Sequence, residues 1–103
     1  MTDTELWRTA PETIHWYTPP ATVQDRANPP FYRGFPDGVT NACYNALDLH
    51  VEQGRGDQAA VIYDSPVTAT KRQNSYAQML DDVARFAGVQ SDQGLGKVER
   101  FIV

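Results

Sequence analysis

A chain of 103 residues carries one domain's worth of sequence, which leaves no room for a second large domain. With 41% hydrophobic, 11% aromatic and 21% charged residues it is too aromatic to read as disordered, and the composition predicts one modest hydrophobic core. Nine Lys and Arg against thirteen Asp and Glu give a net charge of -4, which opposes attraction to nucleic-acid phosphates or anionic lipid, so neither is expected as a partner.

The single cysteine, Cys43, has no internal disulfide partner, and no paired Cys/His spacing suggests a zinc site. Met1 to Trp16 is polar and acidic where a secretory signal would be basic and then apolar, and no run approaches a membrane span. The expectation is an unprocessed cytoplasmic protein.

In chain order, residues 1–40 form a first region holding six of the seven prolines. Proline removes an amide donor and biases the residue before it away from helix, so residues 17–38 are predicted to run as extended or turning chain. This arm carries Trp7, Trp16, Tyr17, Phe31, Tyr32 and Phe35, rings that each gain about 1.5–3 kcal/mol when covered, so it is expected to dock on something.

Residues 41–103 are more regular. Asn41 is placed to cap a helix reaching Gln53, with Tyr44, Leu47 and Val51 on one face and Gly54 at its end. Ala59 to Tyr63 reads as a short buried strand, and Val67 to Gln73 as a polar hairpin or loop. Ser75 or Asn74 then caps a helix whose apolar positions are Tyr76, Met79, Leu80, Val83, Phe86 and Ala87, with Gly94 and Gly96 at its exit. Arg100 to Val103 reads as a further strand, giving a βαβ order that ends on an apolar edge and looks cut off. The fold class is α/β: an aromatic, proline-rich extended arm followed by helix-strand-(hairpin)-helix-strand, an incomplete piece of a larger α/β domain.

Few residues suggest chemistry. Arg55-Gly56-Asp57 spells an adhesion tripeptide but reads better as a helix-ending turn, and Gly94-x-Gly96-Lys97 follows a helix, the reverse of a phosphate loop's context. Asp48 and His50 point to different sides of a helix, and His15 has no defined partner. Cys43 reads as a small buried hydrophobe, Ser65 as a turn residue without the glycines of a nucleophile elbow, and Asp81 and Asp82 as a solvated helix face. Lys71 and Arg72 could meet an anion but read better as solvent-exposed, and the Met79/Phe86 stripe reads as core or subunit-facing surface. No catalytic, cofactor-binding or metal-ligating residue is assigned.

Phe31-Tyr32-Arg33-Gly34-Phe35-Pro36-Asp37-Gly38, followed by Asn41-Ala42-Cys43-Tyr44-Asn45-Ala46-Leu47-Asp48-Leu49-His50-Val51, resembles the N-terminal region of short-chain acyl-CoA synthetases, of the adenylate-forming superfamily. His15-Trp16-Tyr17-Thr18-Pro19 is similar to the front of acetyl- and propionyl-CoA synthetases, and Asp57 to Thr68 and Ser75 to Leu80 are similar to the propionate-CoA ligase branch. The chain departs from the family pattern at Gly34, Leu49 and Val98-Glu99.

The resemblance implies ATP-dependent activation of a small acid to an acyl-adenylate and transfer to coenzyme A. ATP, Mg and coenzyme A belong to that full-length family, and its phosphate loop and catalytic lysine have no counterpart in the residues matched here. Hence the chain is expected to be scaffold, partnered by the catalytic body of a synthetase or by self-association. A free-standing module that binds a protein through the aromatic arm and an open strand edge is the alternative, and a complete small enzyme ranks last for want of convergent acid, base and nucleophile.

Overall fold

The computed structural model describes residues 3–97, 99 and 100. They fall into two compact units, Met1–Ala46 and Leu47–Val103. The elements are mixed α/β, in small pieces.

In the first unit a seven-residue helix, α1 (Asp3–Thr9), runs into a 3-10 turn, Ala10–Thr13. The arm is therefore not extended from its start. Nothing forbids helix before Pro11, and Pro11 itself sits in the first turn of the 3-10 segment, where its missing amide costs nothing. The Thr9 hydroxyl closes α1 by donating to the carbonyls of Leu6 and Glu5, at 3.1 and 3.2 Å.

Beyond Ile14 the chain turns and extends as the prolines predict. Its regular pairing is limited to β1 (Gln24–Asp25) against β2 (Arg33–Gly34), antiparallel, and a bridge between Thr18 and Val39.

Asn41 does cap a helical segment, its Oδ1 accepting from the Tyr44 amide at 2.8 Å. The segment covers residues 42–55 and includes two wide π-type stretches, Tyr44–Asp48 and Val51–Arg55. It ends as the sequence indicates, with Gly54 in the left-handed region at φ 80.

The second unit is built on a hairpin, β3 (Ala59–Ser65) and β4 (Thr70–Ser75), paired antiparallel from Ser65↔Thr70 back to Ala59↔Ser75 with an irregularity between Ala59 and Val61. The polar stretch from Val67 is thus a turn and a second strand. The hairpin leads directly into α2 (Tyr76–Asp92).

Ser75 caps α2 in a full capping box: its Oγ accepts from the Gln78 amide at 3.2 Å while Gln78 Oε1 accepts from the Ser75 amide at 2.9 Å. Two further amides of its first turn, Tyr76 and Ala77, donate at 3.0 Å to the carbonyls of Gln58 and Gly56, tying the helix start to the end of the preceding segment. At the far end Leu95 donates to the Gln90 carbonyl and Gly94 (φ 84) to that of Ser91, a Schellman closure.

The described partner of β3 is the antiparallel β4, and the strand expected over Arg100 to Val103 lies, beyond an irregular Arg100, outside the described residues. One expectation fails, that of a modest core: among the described residues no side chain is buried. The strand over Ala59–Tyr63 exists, yet Val61, Ile62 and Tyr63 are all exposed, because a two-stranded hairpin with one helix leaves much of the apolar strand without a neighbour.

Candidate functional site

The first unit is held by side chains that clamp backbone. Asn45, on the helical segment, accepts the His15 amide on Oδ1 at 2.7 Å, and its Nδ2 donates to the carbonyls of His15 and Asn41 at 3.0 and 2.9 Å and to Thr40 Oγ1 at 3.1 Å. Thr40 Oγ1 also donates to the His15 carbonyl at 2.6 Å. Around this knot the rings of His15, Tyr17 and Tyr44 meet with centroids 4.8–5.8 Å apart.

A second clamp is Asp37. Its carboxylate accepts the amides of Ala21 and Thr22 at 2.9 and 3.1 Å, and these bonds, Ala21 first, hold its pKa below the ordinary value. Between the clamps Trp16 donates its indole N–H to the Pro11 carbonyl at 2.9 Å and meets Phe35 edge-on at 5.9 Å. Gly38 lies so close under Trp16 that a Cβ there would meet the ring at 2.6 Å.

These clamps shape a groove of about 790 Å³ lined by Trp7 and Arg8 of α1, by Ala21 to Gln24, by Arg26, and by Gly34 and Phe35. Phe35 stands in the left-handed region at φ 48, with its amide donating to the Val23 carbonyl at 3.1 Å. Outside the groove Phe31 is 73% exposed. Of the rings that the sequence singled out, Trp7, Tyr17, Phe31 and Tyr32 are exposed, while Trp16 and Phe35 are half-buried against each other.

Among the described residues of the second unit the exposed large apolar side chains are Val61, Ile62 (75%) and Tyr63 on β3, Val67 (93%) in the turn, and Phe86 and Val89 on α2. Of the predicted α2 stripe, Tyr76, Met79, Leu80 and Val83 are half-buried, whereas Phe86 and Ala87 are exposed. The stripe is half covered, by its own hairpin.

The residues weighed for chemistry do not converge. Arg55 donates to His50 Nδ1 at 2.6 Å and also bonds Gln53, while the His50 ring rests on Tyr76 at 4.6 Å, so the Arg-Gly-Asp stretch is a packed helix exit. Gly96 spends its amide on the Glu99 carboxylate at 2.6 Å and is not a phosphate donor. Ser65 Oγ accepts the Thr68 amide within the turn, and Asp81 pairs with Arg85 at 2.8 Å while Asp82 is solvated. Lys71 pairs with Asp64 at 3.1 Å across the hairpin, and Arg72 stands over the Tyr63 ring at 5.6 Å. Cys43, expected to be buried, is exposed. Among the described residues no three His, Cys, Asp or Glu side chains gather as metal ligands. No helix of the described residues is long and apolar enough to cross a membrane.

Sequence reasoning missed Asn45 and Asp37 as the frame of the first unit. Asp37 could have been suspected from its Pro-Asp-Gly turn context. Asn45 gave no local signal, since its main partner is thirty residues away.

What this frame defines is a set of backbone clamps that hold exposed rings in place. Residues 4–46 match the family described as the acetyl-coenzyme A synthetase N-terminus. Over 95% of the chain the sequence is 43% identical to acyl-CoA synthetase short-chain family member 3, mitochondrial, of Rattus norvegicus, and over all of it 41% identical to the Homo sapiens protein of that name. Over 93% it is 42% identical to acetyl-coenzyme A synthetase of Burkholderia lata. The chain corresponds to the N-terminal region of the short-chain acyl-CoA synthetases. It spans 14–15% of the length of these three relatives.

Proposed function

We propose that the chain is the N-terminal scaffold of an ATP-dependent synthetase that activates a short carboxylic acid, propionate or acetate, through an acyl-adenylate to its coenzyme A thioester. The catalytic body supplies the ATP, magnesium and coenzyme A sites, and this segment clamps it through the aromatic arm and adds the β3 edge and the α2 face to its sheet. The observation that carries the reading is the absence of any buried side chain among the described residues, beside fully formed caps and clamps. Local structure is complete while the apolar surface is not, as expected of a piece that folds against something larger.

The test is a chimaera in which this chain replaces the matched region of the Burkholderia lata synthetase. Coenzyme A-dependent pyrophosphate release should return to near the parent level with propionate or acetate, whereas a protein lacking the region should be inactive or insoluble. A chimaera no better than the deletion overturns the scaffold reading and leaves the free-standing interaction module. We place the protein in the cytoplasm, on its lone cysteine; the mammalian relatives carry "mitochondrial" in their names, and a fluorescent fusion separates the two.

A further inference from the structure

The groove of the first unit differs in charge from the chain around it. The unit Met1–Ala46 carries five acidic residues and three arginines, within a chain of net charge -4, yet two of those arginines, Arg8 and Arg26, line the groove and no carboxylate does. Neither is ion-paired among the described residues. Arg26 is partly fixed, its Nε donating to Gln24 Oε1 at 2.7 Å, which leaves its two terminal nitrogens to offer. The Asp37 carboxylate, which could have neutralised this region, is committed to the Ala21 and Thr22 amides, and both of those residues form the groove wall. Beside the two arginines the lining includes the apolar side chains of Trp7, Val23 and Phe35.

We infer that this groove seats an acidic polypeptide segment in which carboxylates flank a large apolar side chain. The inference rests on the scaffold reading and names the kind of surface on the catalytic body that the arm grips. Charge complementarity selects the carboxylates, since each guanidinium can pair with one in a bidentate fork. Exposed ion pairs supply little affinity in water, so a small anion alone would be held weakly. The binding strength must come from covering Trp7, which is 52% exposed, and the apolar floor, and this requires an occupant with a hydrophobic anchor.

The test titrates the whole chain with a short blocked peptide bearing a Leu-Phe pair flanked by glutamates, followed by tryptophan emission, because Trp7 lines the site. Saturable binding is expected, about tenfold weaker for the glutamine counterpart, the loss of roughly one charge-assisted pair. Arg8→Glu with Arg26→Glu should invert the preference toward a lysine-flanked peptide, and Arg33→Glu, outside the groove, should change nothing. If the double reversal loses its helical signal, Arg8→Gln with Arg26→Gln replaces it and should abolish the glutamate preference. Equal binding of the three peptides, no saturation up to roughly millimolar peptide, or stoichiometric displacement by inorganic phosphate or coenzyme A each overturns the inference. A chimaera that is active although the groove shows no glutamate preference would leave the scaffold reading standing and remove this one alone.

Discussion

The two units solve the same problem, making a fixed shape without a core, by opposite means. Leu47–Val103 relies on repeating backbone bonds: a ladder between β3 and β4, seventeen residues of α2, a capping box and a Schellman closure. Met1–Ala46 has little ladder, because its prolines remove donors where one would form, and it relies on single side chains that each hold several backbone groups. Structure of the first kind is spread over many small terms. Structure of the second kind concentrates in a few residues, so it should fail at a point.

That contrast can be broken from either side, since both tryptophans lie in the first unit and α2, the longest helix, in the second. The largest expected effect is at Asn45. Asn45→Ala removes four hydrogen bonds and leaves the His15 amide to find water, while the His15 carbonyl keeps Thr40 Oγ1, a loss of about 2–3 kcal/mol from the first unit. Tryptophan emission should shift to the red at lower urea while the far-ultraviolet helix signal keeps its midpoint. A shift of both together would show that the units melt as one.

Gly38→Ala should follow, at about 1–3 kcal/mol, because the new methyl meets Trp16 at 2.6 Å and Pro20 at 3.2 Å, and the indole must leave its place under the arm. On the other side, Ser75→Ala should cost α2 about 1 kcal/mol by breaking the capping box, lowering the helix signal and leaving tryptophan emission unchanged.

Acid should act on the first unit through Asp37. Its folded pKa is depressed, so its contribution is complete above the unfolded value, about 3.9, and is lost as pH falls through the lower folded value. Tryptophan emission of the chain should therefore move at a pH below 3.9, and in Asp37→Ala that step should vanish.

The same contrast explains what the sequence made legible. Asn41, Gly54, Ser75 and Gly94 act on neighbours within five residues, and all four sit where their local chemistry put them. The irregularity of residues 17–38 was also legible, because proline acts locally. Asn45 and Asp37 were not, since their partners lie fifteen to thirty residues away and nothing in a short window ranks one asparagine above another. The expected core failed for a different reason. Composition counts the apolar residues a chain owns, and an apolar strand such as β3 is buried only if something is there to cover it. Val61, Ile62 and Tyr63 read as interior because a short apolar run bounded by turn residues has the pattern of a buried strand, yet all three are exposed.

The smallest expected effect tests the second unit at its most visible polar contact. Lys71 and Asp64 face each other in register on β4 and β3 with 3.1 Å between Nζ and the carboxylate, but both side chains are more than half exposed. Water screens such a pair and two long side chains lose freedom in making it, so Lys71→Ala should change stability by no more than about 0.5 kcal/mol, and less in high salt. The hairpin is held by its backbone ladder and by α2 against it, which the substitution leaves in place. A loss several times larger would mean that the second unit, too, hangs on single side chains, and the distinction between the units would have to be given up.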